Sequence, residues 1–323
     1  MASTGTGFWQ RALRLWQPPA EPETTRPPAP MPGEMPGVHI GGFSLVRTVA
    51  EGGFGELHLA TDRASGLPVA LKTVRFAGHD LTRERFLTET AIAARLHHPA
   101  IVASYASGIE GEGEQAFGWL AMEWISGHDL GHYTDPQRLL PEPLLLDIVA
   151  RVADGLAHAH EQGVIHRDMK PANVLVNLGQ GVVKVVDFGC ARLTDADRSR
   201  SGLMIGSPVY MAPEQVTGGP LDGRCDLYAL SLMTWQLLCG RLPFEATGVV
   251  DLLNQIVHQV PPPLAERRPD LPPGLSDVLA RGLAKRPQDR QSDAHHWARD
   301  IRMVAVNLGG QAATAGGPER HNG

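Results

Sequence analysis

Length, composition and charge exclude several classes of protein for this chain of 323 residues. Apolar residues make up 42% and charged residues 20%, so neither a disordered chain nor a coiled coil fits. The net charge of −6 argues against a nucleic-acid partner, and no apolar run reaches the roughly 18 residues of a membrane span. Three cysteines are too few for a disulfide framework, which favours a reducing, cytoplasmic location.

The two ends of the chain differ in composition from its middle. Residues 1–42 contain a dense run of prolines, which predicts a disordered arm ending in a linker. Within it, residues 8–16 place Trp9 and Trp16 at helical spacing, which permits a short amphipathic helix that would dock a partner or a membrane. Because so short a helix is marginal in water, the disordered arm is the favoured interpretation. Residues 305–323 are predicted to form a second disordered tail.

The middle of the chain begins with strand patterns and continues with helical ones. Alternating or apolar runs around glycine turns predict antiparallel strands at residues 43–50, 56–61 and 67–75. A helix at about 81–96 and strands at 101–108 and 117–124 follow.

From residue 141 onward the apolar spacing is mostly helical. It predicts helices at 142–162, 222–239, 248–259, 275–285 and 292–306, and a hairpin of two short strands at 173–176 and 182–186. The predicted fold class is α+β. A small β-rich lobe over residues 43–124 would precede a larger helical lobe over residues 125–304.

A glycine-rich turn joins the first two predicted strands. Gly52, Gly53 and Gly55 would let backbone N–H groups approach phosphate oxygens. A dinucleotide-binding fold needs a helix after such a turn, and the strand that follows excludes it. Glycine-rich turns between two strands more commonly bind no ligand, so this turn by itself is weak evidence for a phosphate site.

More specific motifs follow this turn. They occur in a fixed order: VALK at 69–72, Glu89, HRDMKPAN at 166–173, DFG at 187–189 and APE at 212–214. Together they resemble the motifs of the protein kinases over residues 43–304. The segments HPAIV at 98–102 and GSPVYMAPEQ at 206–215 further resemble the bacterial Hanks-type serine/threonine kinases. The resemblance implies the two-lobed protein-kinase fold and an ATP-dependent serine/threonine protein kinase.

Residue chemistry agrees with the phosphate and metal sites that the resemblance implies. Lys72 would contact the α- and β-phosphates of ATP as a point cation, held in place by an ion pair with Glu89. Asn173 and Asp187 offer the hard oxygen ligands that Mg²⁺ prefers, with Mn²⁺ as an alternative.

The same resemblance assigns roles in the predicted catalytic loop. Asp168 would accept the proton of the attacking hydroxyl, and Lys170 would neutralise charge on the transferred phosphoryl group. His166 would stack beside Phe188 and support the loop.

The resemblance also implies structural roles for two carboxylates. Glu214 would pair with Arg290, and Asp226 would accept backbone N–H groups of the catalytic loop. His158 and His160 are not expected to bind a metal, because residues two apart do not share a helix face.

The resemblance also implies which residues contact the nucleotide. They come from the glycine-rich loop, the third strand, the hinge at 122–124 and the hairpin: Ala50, Gly52, Gly53, Gly55, Leu57, Ala70, Lys72, Met122, Glu123 and Leu175. Ala50 stands where the family has a glycine and Leu57 where it has a valine. Because alanine favours negative φ, a tighter or less mobile loop is expected. Ser207 replaces a usual threonine of the substrate-binding segment and keeps the hydroxyl.

Charge predicts regulation by phosphorylation. Arg167 and Arg192 are expected to face the activation segment, between DFG at 187–189 and APE at 212–214, as unpaired cations, and Thr194, Ser199 and Ser201 supply hydroxyls in that segment. A phosphate there would bind both guanidiniums and order the loop, with Ser199 and Ser201 as the favoured sites. A solvated surface loop is the alternative. A transient homodimer would allow autophosphorylation in trans.

Two other functions are alternatives to an active protein kinase. A pseudokinase acting as a binding module would be free to lose the catalytic positions, yet all of them are intact. A small-molecule kinase of the aminoglycoside type would not be expected to carry the segment at 206–215. The sequence therefore favours phosphorylation of serine and threonine hydroxyls in protein substrates.

Overall fold

The computed structural model describes Trp9 and residues 38–52, 55–77, 79–188 and 208–315. Within these ranges a lobe built on a β-sheet is followed by a larger helical lobe. None of the described helices is both long enough and apolar enough to cross a membrane.

A six-stranded antiparallel sheet, in the order β1-β2-β3-β4-β6-β5, forms the first lobe. Its strands are β1 (His39–Ile40), β2 (Phe43–Gly52), β3 (Gly55–Asp62), β4 (Pro68–Arg75), β5 (Ser104–Glu110) and β6 (Phe117–Glu123). The three strands predicted first are confirmed, with ends within two residues of the predicted ones. Strand β5 begins later than predicted because Ile101 forms an isolated bridge with Val185 instead.

Helix α1 (Asp80–Ala93) packs on this sheet through few residues. Its buried side chains are Phe86, Thr90 and Ile92. Phe86 lies in a small apolar cluster with residues of β4 and β6, whereas Ile92 belongs to the core of the second lobe. The sheet and the helix are therefore joined by a small contact, which leaves α1 less firmly held than the helices of the second lobe.

A three-stranded sheet lies in the second lobe, in the order β7-β8-β9. Strands β8 (Val174–Asn177) and β9 (Val182–Val185) form the predicted hairpin, and β7 (His128–Asp129) was not predicted. The hairpin begins directly after Asn173 and ends two residues before Asp187, so it joins the two predicted metal ligands.

Seven helices complete the second lobe as far as the structure describes it. They are α2 (Glu142–Glu161), α3 (Pro213–Thr217), α4 (Arg224–Cys239), α5 (Val249–His258), α6 (Leu264–Arg267), α7 (Pro273–Gly282) and α8 (Ala294–Ala315). The five predicted helices are present, and the two short ones, α3 and α6, were missed. Helices α2 and α4 are buried over most of their length and form the centre of one large apolar core.

Two predictions for the ends of the chain differ from the structure. Helix α8 continues to Ala315, so the first part of the predicted tail is helical. The reason is that the apolar spacing of Ile301 and Val304 continues to Leu308, which also packs against the core. Trp9, in the arm predicted to be disordered, is buried against the second lobe.

Candidate active site

Lys72 lies on β4 and contacts carboxylates from both lobes. Its Nζ is 2.7 Å from Oε1 of Glu89 on α1, and 3.2 Å from Oδ1 of Asp187. The predicted ion pair with Glu89 is therefore formed. Burial alone lowers the pKa of Lys72, but the charges of Asp187 and Glu89 outweigh it and hold that pKa above its ordinary value. Lys72 is a fixed cation in the cleft.

The loop around Asp168 is closed by short hydrogen bonds. Lys170 Nζ donates to Asp168 Oδ2 at 2.6 Å. Asn173, in a single 3₁₀ turn, donates its amide nitrogen to the Asp168 carbonyl at 2.7 Å and to Asp168 Oδ2 at 3.3 Å. Asp168, to which the sequence assigned proton transfer, therefore contacts both the residue assigned to charge neutralisation and the residue assigned to metal binding.

Two residues of the site have strained backbone conformations. Arg167 has φ of 65° and Asp187 has φ of 63°, a left-handed region that costs non-glycine residues about 1–3 kcal/mol each. At Arg167 this backbone conformation is held by Asp226, which accepts the N–H groups of His166 at 2.9 Å and Arg167 at 2.8 Å. This is the role that the resemblance implied for Asp226.

The rings of His166 and Phe188 pack together with centroids 4.7 Å apart, as predicted. His166 is fully buried, and its Nε2 lies 3.0 Å from the carbonyl oxygen of Val186. His166 thus joins the catalytic loop to the segment that carries Asp187.

Sequence reasoning missed His160 as a support of this loop. Its Nε2 lies 2.7 Å from Asp226 Oδ2, so it donates to the same carboxylate that holds the loop backbone. A Cβ on Gly223 would lie 2.5 Å from the His160 ring, so only glycine allows this approach. Burial alone raises the pKa of Asp226, but the hydrogen bond from His160 helps to bring it below its ordinary value.

Gln215 was also missed. Its amide nitrogen donates to the Arg167 carbonyl at 2.8 Å, and its amide oxygen accepts the N–H of Ala212 at 2.9 Å. The neighbouring Glu214 forms the predicted pair with Arg290, through two hydrogen bonds of 2.6 and 2.8 Å. The end of the activation segment is thereby fixed to the catalytic loop and to the helical lobe.

The glycine-rich turn is built from paired strands. Gly52 pairs with Gly55, and Ala50 pairs with Leu57 in extended backbone, which tolerates alanine. A Cβ on Gly55 would lie 1.8 Å from the carbonyl oxygen of Thr73, so this position requires glycine. Gly53, which also belongs to the predicted loop, lies outside the described residues.

The remaining residues of the predicted nucleotide site lie on adjacent strands. Ala70 on β4 pairs with Met122 on β6, and Leu175 lies on β8. Glu123 ends β6, and its carboxylate binds Lys184 at 2.8 Å. Its side chain is thus held by the second lobe.

The predicted regulatory segment falls largely outside the described residues. This applies to Arg192, Thr194, Ser199, Ser201 and Ser207. Arg167 is described, and it has an interaction partner, so the expectation that it is an unpaired cation is wrong.

The oxygen donors of Asn173 and Asp187 fit a divalent cation. Asn173 donates through its amide nitrogen, which leaves its Oδ1 available, and Asp187 contacts Lys72 through Oδ1 only. Burial alone raises the pKa of Asp187, but Lys72 lowers it below its ordinary value and keeps the carboxylate ionised. An ionised carboxylate and an amide oxygen are hard ligands of the kind that Mg²⁺ and Mn²⁺ take.

Comparison with known proteins identifies the class to which this fold and cleft belong. The family model described as protein kinase domain matches residues 43–301, so the chain belongs to the protein kinase family. The predicted fold class is confirmed by the kinase domain of Mycobacterium tuberculosis PknI, which has 33% sequence identity and a TM-score of 0.64. That match covers 83% of this chain and 98% of the solved one.

Curated relatives narrow the class to the bacterial serine/threonine kinases. The serine/threonine-protein kinase pkn3 of Myxococcus xanthus is 35% identical over 81% of this chain and 50% of its own length. PknF of Mycobacterium tuberculosis is 34% identical over 88% of this chain and 59% of its own length. The chain spans about half the length of these relatives. Its domain is a serine/threonine protein kinase domain of the bacterial Hanks type, as predicted.

Proposed function

We propose that the whole protein is an active kinase that transfers the γ-phosphoryl group of ATP to serine and threonine hydroxyls of other proteins. The observation that carries the proposal is the chain of contacts from Glu89 through Lys72 to Asp187. It joins the two lobes across the cleft with distances of 2.7 and 3.2 Å. Phosphoryl transfer depends mainly on positioned charge, and such a chain provides it.

On the phosphate side, Lys72 would bind the α- and β-phosphates while Glu89 fixes the direction of its side chain. Asn173 and Asp187 would hold Mg²⁺, or Mn²⁺ in its place, which when bound neutralises charge on the phosphates. Adenine would lie against Ala70 and Leu175, and the backbone carbonyl of Glu123 would accept its amino group.

On the acceptor side, Asp168 would take the proton of the attacking hydroxyl. Lys170, now 2.6 Å from Asp168, would shift toward the developing charge of the phosphoryl group. The Asn173 amide keeps Asp168 oriented through its bond to the Asp168 carbonyl. The protein thus supplies a base, a cation and their orientation.

The test is phosphoryl transfer to a generic protein acceptor by the full chain and its variants. Asp168→Asn and Lys72→Met should each reduce labelled phosphate incorporation by about 10²-fold or more. Asp277→Asn, an exposed aspartate of α7, is the matched control and should retain full transfer. Wild-type transfer by purified Asp168→Asn protein would reject Asp168 as the base, and no transfer by the purified wild type would reject the kinase activity and favour a binding module.

We further propose that autophosphorylation of the activation segment regulates this activity. Thr194, Ser199 and Ser201 are the candidate acceptors, with Arg167 and Arg192 as candidate partners of the new phosphate. Incubation with Mg-ATP followed by peptide mass spectrometry should find phosphate on this segment. If a variant with alanine at all three acceptors matches the wild type before and after phosphatase treatment, this regulation is wrong.

A further inference from the structure

A tryptophan from the N-terminal arm is seated on the surface of the helical lobe. Trp9 is only 2% exposed and belongs to the main apolar core cluster. Its indole Nε1 donates to Asp147 Oδ2 on helix α2 at 2.8 Å. The guanidinium carbon of Arg151, one turn further along α2, lies 5.0 Å from the ring centroid. One side chain therefore has an apolar contact, a hydrogen bond and a cation–π contact at the same place.

The residues that receive Trp9 are also bonded to one another. Arg151 Nε contacts Asp147 Oδ2 at 2.8 Å, and Arg151 Nη1 donates to the carbonyl of Gly181 at 3.0 Å. Gly181 lies in the turn between β8 and β9, and a Cβ there would be 3.8 Å from Cδ2 of the indole. The receiving surface thus consists of one turn of α2 and the hairpin turn, tied together by Arg151.

The chemistry of this surface selects an indole. Asp147 accepts a hydrogen bond from the edge of the ring that covers this surface, which the indole N–H donates and phenylalanine cannot. Arg151 gains most from the large electron-rich face of tryptophan. Leucine or methionine would fill the space without making either contact. The occupant is therefore a tryptophan, and not an apolar residue in general.

The chain itself can supply the occupant. Residues 10–37 separate Trp9 from Val38, where the first lobe begins. Twenty-eight residues reach up to about 95 Å when extended, which is more than a kinase domain spans. A site served by its own chain also sees a high effective concentration of the ligand.

We propose that Asp147, Arg151 and Gly181 form an intramolecular docking site for Trp9, which ties the N-terminal arm to the hairpin between the two proposed metal ligands. The docked indole covers the hairpin turn and stabilises it from the side of α2. None of these residues belongs to the proposed catalytic or nucleotide-binding set, so the site can be tested apart from the kinase activity.

The test uses the full chain with four single substitutions and two doubles. Trp9→Ala should lower the melting temperature by about 4–8 °C, because a large buried side chain is lost. It should also speed amide hydrogen exchange in residues 178–182 and in the first turns of α2 by about tenfold or more. Trp9→Phe and Asp147→Asn should each have smaller effects.

A double-mutant cycle tests the contact itself. Combining Trp9→Phe with Asp147→Asn should lower the melting temperature by less than the sum of the single effects, because Trp9→Phe removes the donor and Asp147→Asn the charge on the acceptor of the same hydrogen bond. The control is Asp154→Asn on the same helix, whose partner is Arg302. Its effect should add to that of Trp9→Phe.

Three results would overturn the proposal. An unchanged melting temperature and unchanged exchange in Trp9→Ala would mean that the indole is not docked in solution. Additive effects of Trp9→Phe and Asp147→Asn would mean that the two side chains do not interact. A dimer in sedimentation that Trp9→Ala abolishes would mean that a second copy, and not the same chain, supplies the tryptophan. If Trp9→Ala fails to fold, the Trp9→Phe cycle decides.

Discussion

Two ion pairs of similar chemistry lie in different surroundings. The pair Lys72–Glu89 has one contact of 2.7 Å, and its side chains are 31% and 17% exposed. The pair Glu214–Arg290 has two hydrogen bonds, and its side chains are 8% and 0% exposed. Arg290 also donates to three backbone carbonyls, those of Arg224, Ala284 and Lys285.

The difference indicates different roles for the two pairs. Every N–H donor of Arg290 has a partner inside the helical lobe. Breaking this pair therefore leaves a buried charge without a partner, which strongly destabilises the fold. Lys72 instead divides its contacts between Glu89 and Asp187, and α1 is held by few buried residues. We therefore expect the buried pair to control stability and the cleft pair to control rate.

Breaking the buried pair should have the largest effect. Arg290→Ala leaves the Glu214 carboxylate buried without its partner and removes the guanidinium from the Tyr228 ring, 5.0 Å away. The free energy of unfolding should fall by about 3–5 kcal/mol, measured by urea denaturation. Arg286→Ala, whose pair with Asp289 is exposed, is the matched control and should leave the midpoint unchanged. Equal effects of the two variants would contradict the assignment.

Breaking the cleft pair should change the rate instead. Glu89→Gln keeps the shape of the side chain but removes its charge, so Lys72 turns toward Asp187 alone. We expect kcat/KM to fall by about 10²-fold while the melting temperature changes little. Glu84→Gln, an exposed position on the same helix, should match the wild type in both measurements. A large loss of stability in Glu89→Gln would contradict the expectation that the cleft pair controls rate and the buried pair controls stability.

A third substitution tests whether the contact of His160 with Asp226 controls stability, as we expect of the buried pair Glu214–Arg290. His160→Phe removes one of the donors to Asp226 and leaves the two backbone N–H groups. The free energy of unfolding should fall by about 1–2 kcal/mol, and kcat should fall with it because the loop backbone is less fixed. Denaturation and steady-state kinetics on the same preparation check both effects. A change in neither would mean that His160 is only a neighbour of Asp226.

Local patterns were sufficient to predict most strands, helices and motifs. The alternation of β2 to β4 and the spacing in α2 and α4 are properties of short segments, and so are the motifs around Lys72, Asp168 and Asp187. The contacts of His160 and Gln215 were not predicted, because they join residues 66 and 48 positions apart. No periodicity in the sequence predicts such contacts, because only the fold brings these residues together.

Trp9 illustrates a different limit of sequence reasoning. The prediction for the arm rested on its composition, in which one tryptophan counts little beside many prolines. Its partners, Asp147 and Arg151, look like ordinary exposed charges at i, i+4 spacing on α2. Their arrangement beside the turn at Gly181 exists only in the folded lobe. The contact of a single anchoring side chain with them therefore cannot be predicted from short sequence segments.

The smallest expected effect concerns Lys285, next to the buried pair. Its Nζ donates to the carbonyl of Ile256 at 2.7 Å and lies 5.0 Å from the Phe244 ring centroid. Burial, together with the charge of Arg290, lowers the pKa of Lys285 from 10.5 to about 8. Between these two pH values the unfolded chain binds more protons than the folded one, so this group makes stability rise with pH. Below pH 8 both states keep the proton, and its contribution is constant.

Two substitutions of Lys285 isolate this slope. Lys285→Gln has no charge and Lys285→Arg keeps its charge throughout, so neither titrates between pH 8 and 10. The wild type should gain stability relative to both variants over this range, by less than about 1.4 kcal/mol per pH unit because solvent screens a half-buried group. Urea midpoints at pH 7, 8, 9 and 10 measure the difference. Since the pKa depends in part on Arg290, the same slope should weaken in the Arg290→Ala background. Parallel curves for all three proteins would mean that Lys285 titrates alike in both states and that the buried pair does not influence it.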